Sequence, residues 1–195
     1  METIRTFVAI ELDEAILTAL RGVQAQLKRA PAARIGRWVA PAGIHLTLKF
    51  LGDVSSGRVP EITQALQRGC RSFAPFPLHL CNPGFFPNAH RLRVVWIGVE
   101  GDVETLARLQ RAIESELNSL GFPPEGRDFQ PHLTLARVRE QAGTYEREEL
   151  AKRVLALQVD ASASMVAREV CLMRSELRPS GAVYTRLAMV PLVKV

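Results

Sequence analysis

The chain has 195 residues, of which 47% are apolar and 23% charged. That is enough for one well-packed unit and too little for several, and no apolar run reaches the roughly 18–20 residues of a membrane span, so a disordered chain and a membrane-inserted one are both excluded. The net charge of +5 is carried by 21 Arg and 4 Lys. Arginine's planar fork suits a phosphorylated or nucleic-acid partner, although an arginine bias also follows from coding composition.

The start, Met1-Glu2-Thr3-Ile4-Arg5, lacks the charged and then apolar pattern of a secretory signal, so a cytoplasmic protein is expected. Cys70, Cys81 and Cys171 are odd in number and have no C-x-x-C spacing, which predicts buried thiols rather than disulfides or a zinc ribbon.

Arg5–Glu11, rich in β-branched and aromatic residues, predicts a strand, and Asp13 is placed to cap a helix with Ile16, Leu17, Leu20, Val23 and Leu27 on one face. Pro31 ends that helix. After a loop containing Trp38, Pro41 and Gly43, the alternating run Ile44–Leu51 predicts a strand that stops at Gly52-Asp53. A helix over Val59–Cys70, a short strand over Pro75–Cys81 and a turn-rich stretch from Asn82 to Pro87 follow. The pattern then restarts. Arg91–Val99 predicts a strand, Asp102–Leu120 a helix stopped by Gly121, Pro131–Arg137 a strand, Tyr145–Leu157 a charged helix, and Val166–Met173 and Val183–Val190 two more strands.

The second half copies the first. Arg5 precedes His45 by 40 residues and Arg93 precedes His132 by 39, and the tetrapeptide His-Leu-Thr-Leu occurs at both histidines, 87 residues apart. The spacing is too long for a solenoid repeat. The expected fold is α+β: a single bilobal domain over 1–195, with two pseudo-symmetric α/β lobes, largely antiparallel sheets and duplicated His-x-Thr strands facing a central cleft.

Residues two apart on a strand share a face. His45 with Thr47, and His132 with Thr134, are therefore displayed together, while Leu46, Leu48, Leu133 and Leu135 point into the cores. Two imidazoles near neutral pH supply an acid and a base together, which is what in-line displacement at phosphorus needs on its two sides. Threonine hydroxyls beside them can bond the non-bridging oxygens. This arrangement requires no metal or other cofactor. A metal site built on the two histidines lacks carboxylate or thiolate partners at ligand spacing. No phosphate-loop, dinucleotide or serine-hydrolase motif is present.

These residues resemble the two-histidine phosphoesterase superfamily, and within it the RNA 2′,3′-cyclic phosphodiesterases, also called 2′-5′ RNA ligases. The resemblance covers nearly the whole chain, through Arg5–Ile10, His45–Gly52, Pro131–Arg137 and Gly181–Tyr184. It implies hydrolysis of a terminal RNA 2′,3′-cyclic phosphate to a 2′-phosphate, with His45 as proton donor to the 3′ oxygen and His132 as proton acceptor from water. With an RNA 5′-hydroxyl as nucleophile or leaving group, the same pair makes or breaks a 2′-5′ linkage. The resemblance also implies Thr47, Thr134 and Arg137 as substrate-phosphate ligands, although strand parity puts Arg137 opposite His132 unless the strand bulges. The implied partner is a single-stranded RNA end, with tRNA halves as one candidate, bound by a monomer with no membrane association.

Rival readings are an RNA-end-binding module without significant catalysis, and a phosphodiesterase of small cyclic nucleotides or 2′-5′ oligonucleotides. Parity puts Lys49 on the His45 face, where it contacts phosphate or solubilises the rim. It puts Phe50 in the core. Trp38 is the better base-stacking candidate. His79 and His90 are assigned surface or packing roles, with His90 a candidate for the cleft border, and the Glu146–Glu149 cluster with Arg147 a solvated helix face.

Overall fold

Asp13 divides the first strand from the first helix. Strand β1 (Thr3–Glu11) is followed by helix α1 (Glu14–Lys28), and the Asp13 carboxylate accepts the Ile16 N–H at 3.0 Å, satisfying one donor left free at a helix start. The computed structural model describes residues 2–160, 162–178 and 181–193; the two ends of the expected 1–195 unit lie outside them. Strand β2 (Gly36–Trp38) lies in the expected loop, and β3 (His45–Ser55) follows a 3₁₀ turn at Pro41–Gly43. Then come α2 (Val59–Cys70), β4 (Phe76–Phe86), β5 (Val94–Gly101), α3 (Val103–Asn118), β6 (His132–Val138), α4 (Thr144–Leu155), β7 (Ser164–Ala167), β8 (Glu169–Arg178) and β9 (Gly181–Pro191). Gly121 takes φ +87° just past α3, the left-handed stop its position predicts.

Expected boundaries differ most at three places. Strand β3 does not stop at Gly52-Asp53 but runs on to Ser55, because Thr6 and Arg5 of β1 pair with those two residues. The turn-rich stretch is strand as far as Phe86, because Pro83–Phe86 pair with Val94–Ile97 and a register shift after Leu80 takes up the irregularity. The run Val166–Met173 is not one strand. It breaks at Arg168, so that β7 pairs β4 at one end of the sheet while β8 pairs β1 towards the other.

All pairings are antiparallel, in the order β7-β4-β5-β6-β3-β1-β8-β9, with β2 added to β6. The two His-x-Thr strands are thus sheet neighbours rather than separate walls. They meet at one pair, Leu46 with Leu133, and this pair joins the two lobes into a continuous sheet.

The helices cross over between the repeats. Although α1 follows β1 in sequence, its Ile16 lies with Leu78, Leu80, Val99, Leu133 and Met165 of the other lobe, and α4 packs on β4. Conversely α3 follows β5 yet packs on β3, and α2 on β8 and β9. Each repeat therefore gives its first strand and its histidine strand to one lobe and its first helix to the other. One apolar cluster, including Leu20, Leu66, Ile97, Leu109, Leu133 and Leu150, takes in all four helices. The face of the sheet opposite this cluster carries the polar residues described next.

Candidate active site

Because Leu46 and Leu133 are paired and both buried in the core, the residues flanking them turn to the helix-free face. Antiparallel pairing sets Thr134 beside His45 and Thr47 beside His132. All four residues are half-buried. The structure thus brings together the two histidines and two threonines singled out in the sequence, around a local two-fold axis.

The rings are held alike. His45 Nδ1 lies 2.9 Å from the Gly43 carbonyl and His132 Nδ1 lies 2.7 Å from the Gln130 carbonyl, in each case two residues upstream. A carbonyl only accepts, so Nδ1 carries a proton and Nε2 is the nitrogen that gains or loses one. Aromatic rings confine both imidazoles. Phe7 stacks on His45 at 4.5 Å and Tyr184 meets its edge at 4.9 Å, while Phe86 and Trp96 lie 5.2 and 6.2 Å from His132. Gly43 and Gly84 make this packing possible. A Cβ at Gly84 would lie 2.2 Å from the Trp96 ring, and one at Gly43 3.3 Å from Tyr184. Burial lowers the His45 pKa from its ordinary value; the Gly43 carbonyl and the Glu11 carboxylate opposite partly counter this, and the nearby charge of Arg137 adds to it. At the position equivalent to Glu11, across from His132, stands Gly98.

Each motif strand contains a bulge at the same place. On β3, Val8 pairs Lys49 but Ala9 pairs Thr47, so Leu48 is extra; on β6, Val95 pairs Ala136 but Trp96 pairs Thr134, so Leu135 is extra. An extra residue reverses the parity of everything beyond it. Arg137 consequently joins the face of His132 and Thr134 and is exposed. Lys49 and Phe50 exchange the places that simple alternation predicts. Lys49 is 1% exposed, bonded to Glu114 Oε1 at 3.1 Å and the Pro123 carbonyl at 2.7 Å, and takes no part in the site. Phe50 is 54% exposed, near Phe7 on the His45 side.

Two buried glutamines anchor the bulges from the crossed-over helices. Gln24 of α1 donates to the carbonyls of Leu135 (3.1 Å) and Val39 (2.9 Å), and Gln110 of α3 donates to that of Leu48 at 3.4 Å. Sequence reasoning missed both, because a glutamine on an apolar helix face is a weak signal without its partner. Replacing Gln24 by Met is expected to cost about 1–3 kcal/mol, read as a lowered urea midpoint with unchanged slope. An unshifted midpoint contradicts the anchoring role.

The remaining candidates lie elsewhere. Trp38 faces the core layer, its Nε1–H donating to the Ala33 carbonyl at 3.1 Å, so it is not a stacking platform. His90 pairs with Glu148 of α4 and His79 lies 3.7 Å from Glu100. Arg147 is no solvated residue: its guanidinium donates to the carbonyls of Leu92, Arg139, Glu140 and Ala142, tying the turn after β6 to the start of β5. All three cysteines are free, and burial pushes the Cys70 and Cys171 thiols up to about 12 and Cys81 to about 11. Among the described residues one acidic and thiol cluster, Glu11, Glu169 and Cys171, has metal-ligand spacing. It contains neither histidine, and the Arg186 guanidinium already sits 2.5 Å from Glu11 and 3.9 Å from Glu169.

The family model of the 2′-5′ RNA ligase superfamily matches residues 11–178. An RNA 2′,3′-cyclic phosphodiesterase of Methanothermobacter thermautotrophicus is 41% identical over 182 residues, 93% of this chain and 95% of that one. One of Archaeoglobus fulgidus is 32% identical over 183 residues, 94% and 97% of the two chains. Among solved structures, E. coli LigT complexed with 3′-AMP superimposes with a TM-score of 0.78 at 28% identity, covering 99% of this chain and 100% of LigT. With the duplicated His-x-Thr strands, their shared bulges and these matches over almost its whole length, the chain belongs to the 2′-5′ RNA ligase superfamily.

Proposed function

We propose that the protein hydrolyses the 2′,3′-cyclic phosphate at the end of an RNA to a 2′-phosphate, using His45 as general acid and His132 as general base. The observation that carries this reading is the matched pair of Nδ1–carbonyl bonds, which leaves two Nε2 atoms related by the local two-fold axis. His132 Nε2 removes a proton from water, the water oxygen attacks phosphorus, the bond to the 3′ oxygen breaks, and His45 Nε2 delivers its proton to that oxygen. Thr47, Thr134 and Arg137 hold the non-bridging oxygens and stabilise the charge that builds on them. The same site joins RNA ends through a 2′-5′ bond when a 5′-hydroxyl replaces water.

The names of the Methanothermobacter and Archaeoglobus relatives and the 3′-AMP complex of LigT support the substrate class. Glu11 opposite His45, where His132 faces Gly98, favours the imidazolium at His45, although burial outweighs it. The three free thiols, those of Cys70 and Cys171 buried and that of Cys81 half-buried, suit the cytosol.

Incubating the EDTA-treated protein with a short RNA ending in a 2′,3′-cyclic phosphate, and resolving 2′- from 3′-phosphate products, tests the reading. The 2′-phosphate is expected; binding without turnover overturns it in favour of an RNA-end-binding module.

The lowered His45 pKa predicts that one limb of the kcat/KM–pH profile lies below about 6.5, the ordinary imidazole value. Glu11 favours the imidazolium, so Glu11→Gln moves that limb to still lower pH. Two limbs above pH 7, or an upward movement in the variant, contradict the assignment.

A further inference from the structure

The two bulges are alike, but the segments beside them are not. Past its meeting point with β3, strand β6 is joined by β2, with Arg37 directly opposite Arg137 and Trp38 opposite Ala136. Trp38 packs against the core and Ala136 is buried, so alternation turns Arg37 and Arg137 together to the helix-free face, and both are exposed. Val94, on the other side of Arg137, confirms the face: it alternates with the core residues Val95 and Ile97.

Like charges directly opposite each other on neighbouring strands destabilise a sheet. Among the described residues neither arginine has an acidic partner, whereas Arg34, three residues before Arg37, is bonded to Glu146. At the equivalent place beside β3 the chain is of opposite character. Phe50 stands where Arg137 stands, and its N–H donates to Glu125 at 3.3 Å. The local two-fold symmetry of the histidines and threonines is thus broken by charge, with two unneutralised guanidiniums on one side and an aromatic ring and a carboxylate on the other.

We propose that Arg37 forms a second phosphate subsite beside Arg137. It takes the phosphodiester on the 5′ side of the terminal nucleoside, so that the protein prefers a polynucleotide end to a free nucleoside cyclic phosphate. This rests on the phosphodiesterase reading above. The cyclic phosphate is the last phosphate of the RNA, so the next one along the chain is necessarily the one on the terminal nucleoside's 5′ oxygen. Neighbouring strands lie about 4.8 Å apart, and guanidinium forks on such strands can grip successive phosphates of one chain, each bidentately.

The test compares a nucleoside 2′,3′-cyclic phosphate with the dinucleotide carrying the same terminus, which adds a single phosphodiester. Wild type is expected to favour the dinucleotide. Arg37→Gln loses at least about tenfold more kcat/KM on the dinucleotide than on the nucleoside, mainly through KM, and its log–log salt dependence for the dinucleotide becomes shallower by about 0.7. Arg37→Lys retains most of that salt dependence. Equal losses on both substrates, or no loss on either, overturn the subsite. A wild type that turns over neither substrate defeats the phosphodiesterase reading instead.

Discussion

His45→Ala and His132→Ala are each expected to reduce hydrolysis of an RNA 2′,3′-cyclic phosphate by about 10²–10⁴-fold, the range typical of losing one positioned acid or base. Both rings are half-buried on the helix-free face, and each makes one backbone hydrogen bond, so neither change empties the main core. Circular dichroism and urea unfolding are therefore expected to stay close to wild type, and RNA-end binding persists. The double variant is expected to lose less than the product of the single losses, because in the proposed mechanism donor and acceptor serve one displacement. Steady-state rates of the three variants check this; losses below about fivefold contradict it.

Lys49→Met has the largest expected effect on stability. The ammonium is 1% exposed and bonded to Glu114 and to the Pro123 carbonyl. Removing it leaves a half-buried carboxylate that keeps only part of its hydrogen bonding, which costs about 3 kcal/mol, the lower end of the range for a fully buried pair. The consequence reaches both motif strands, since Glu114 also accepts the Glu125 N–H at 3.0 Å and Glu125 accepts that of Phe50. Lys49 thereby ties the first histidine strand to the loop that leads into the second.

The pair also has a pH signature. Burial pushes the Glu114 carboxyl up, but the Glu125 N–H and the Lys49 ammonium outweigh it and hold the carboxyl below 4.5. Its contribution is present above that pH and is lost as pH falls through the lowered value. Urea midpoints between pH 3 and 7 are expected to show this loss in wild type and a flatter curve in Lys49→Met. A midpoint unchanged by the substitution at pH 7 contradicts the account.

The duplication was legible because it is written in composition and spacing: His-Leu-Thr-Leu twice, each after a strand and an amphipathic helix. That sufficed for the antiparallel strands, the inward leucines and the facing of His45, Thr47, His132 and Thr134. Parity reasoning failed beyond Thr47. A bulge is set by hydrogen bonds from distant residues, here Gln24 to Leu135 and Gln110 to Leu48, and nothing local to Leu48-Lys49 announces it. The same failure exchanged Lys49 with Phe50 and left Arg137 seemingly on the wrong face. The crossing of α1 and α3 was also hidden, since an apolar helical stripe does not say which sheet it covers. Arg37 lay within an expected loop, and only its register with Arg137 gives it meaning.

Sulfur in place of the 3′ oxygen of the cyclic phosphate separates the two histidines most directly. A thiolate leaves without needing a proton, whereas attack by water still needs a base. The acid–base assignment predicts that this substrate restores His45→Ala to within about tenfold of wild type while His132→Ala stays impaired by about 10² or more. Rescue of His132→Ala with His45→Ala unrescued reverses the roles, and failure to rescue either variant contradicts general-acid catalysis at the leaving oxygen.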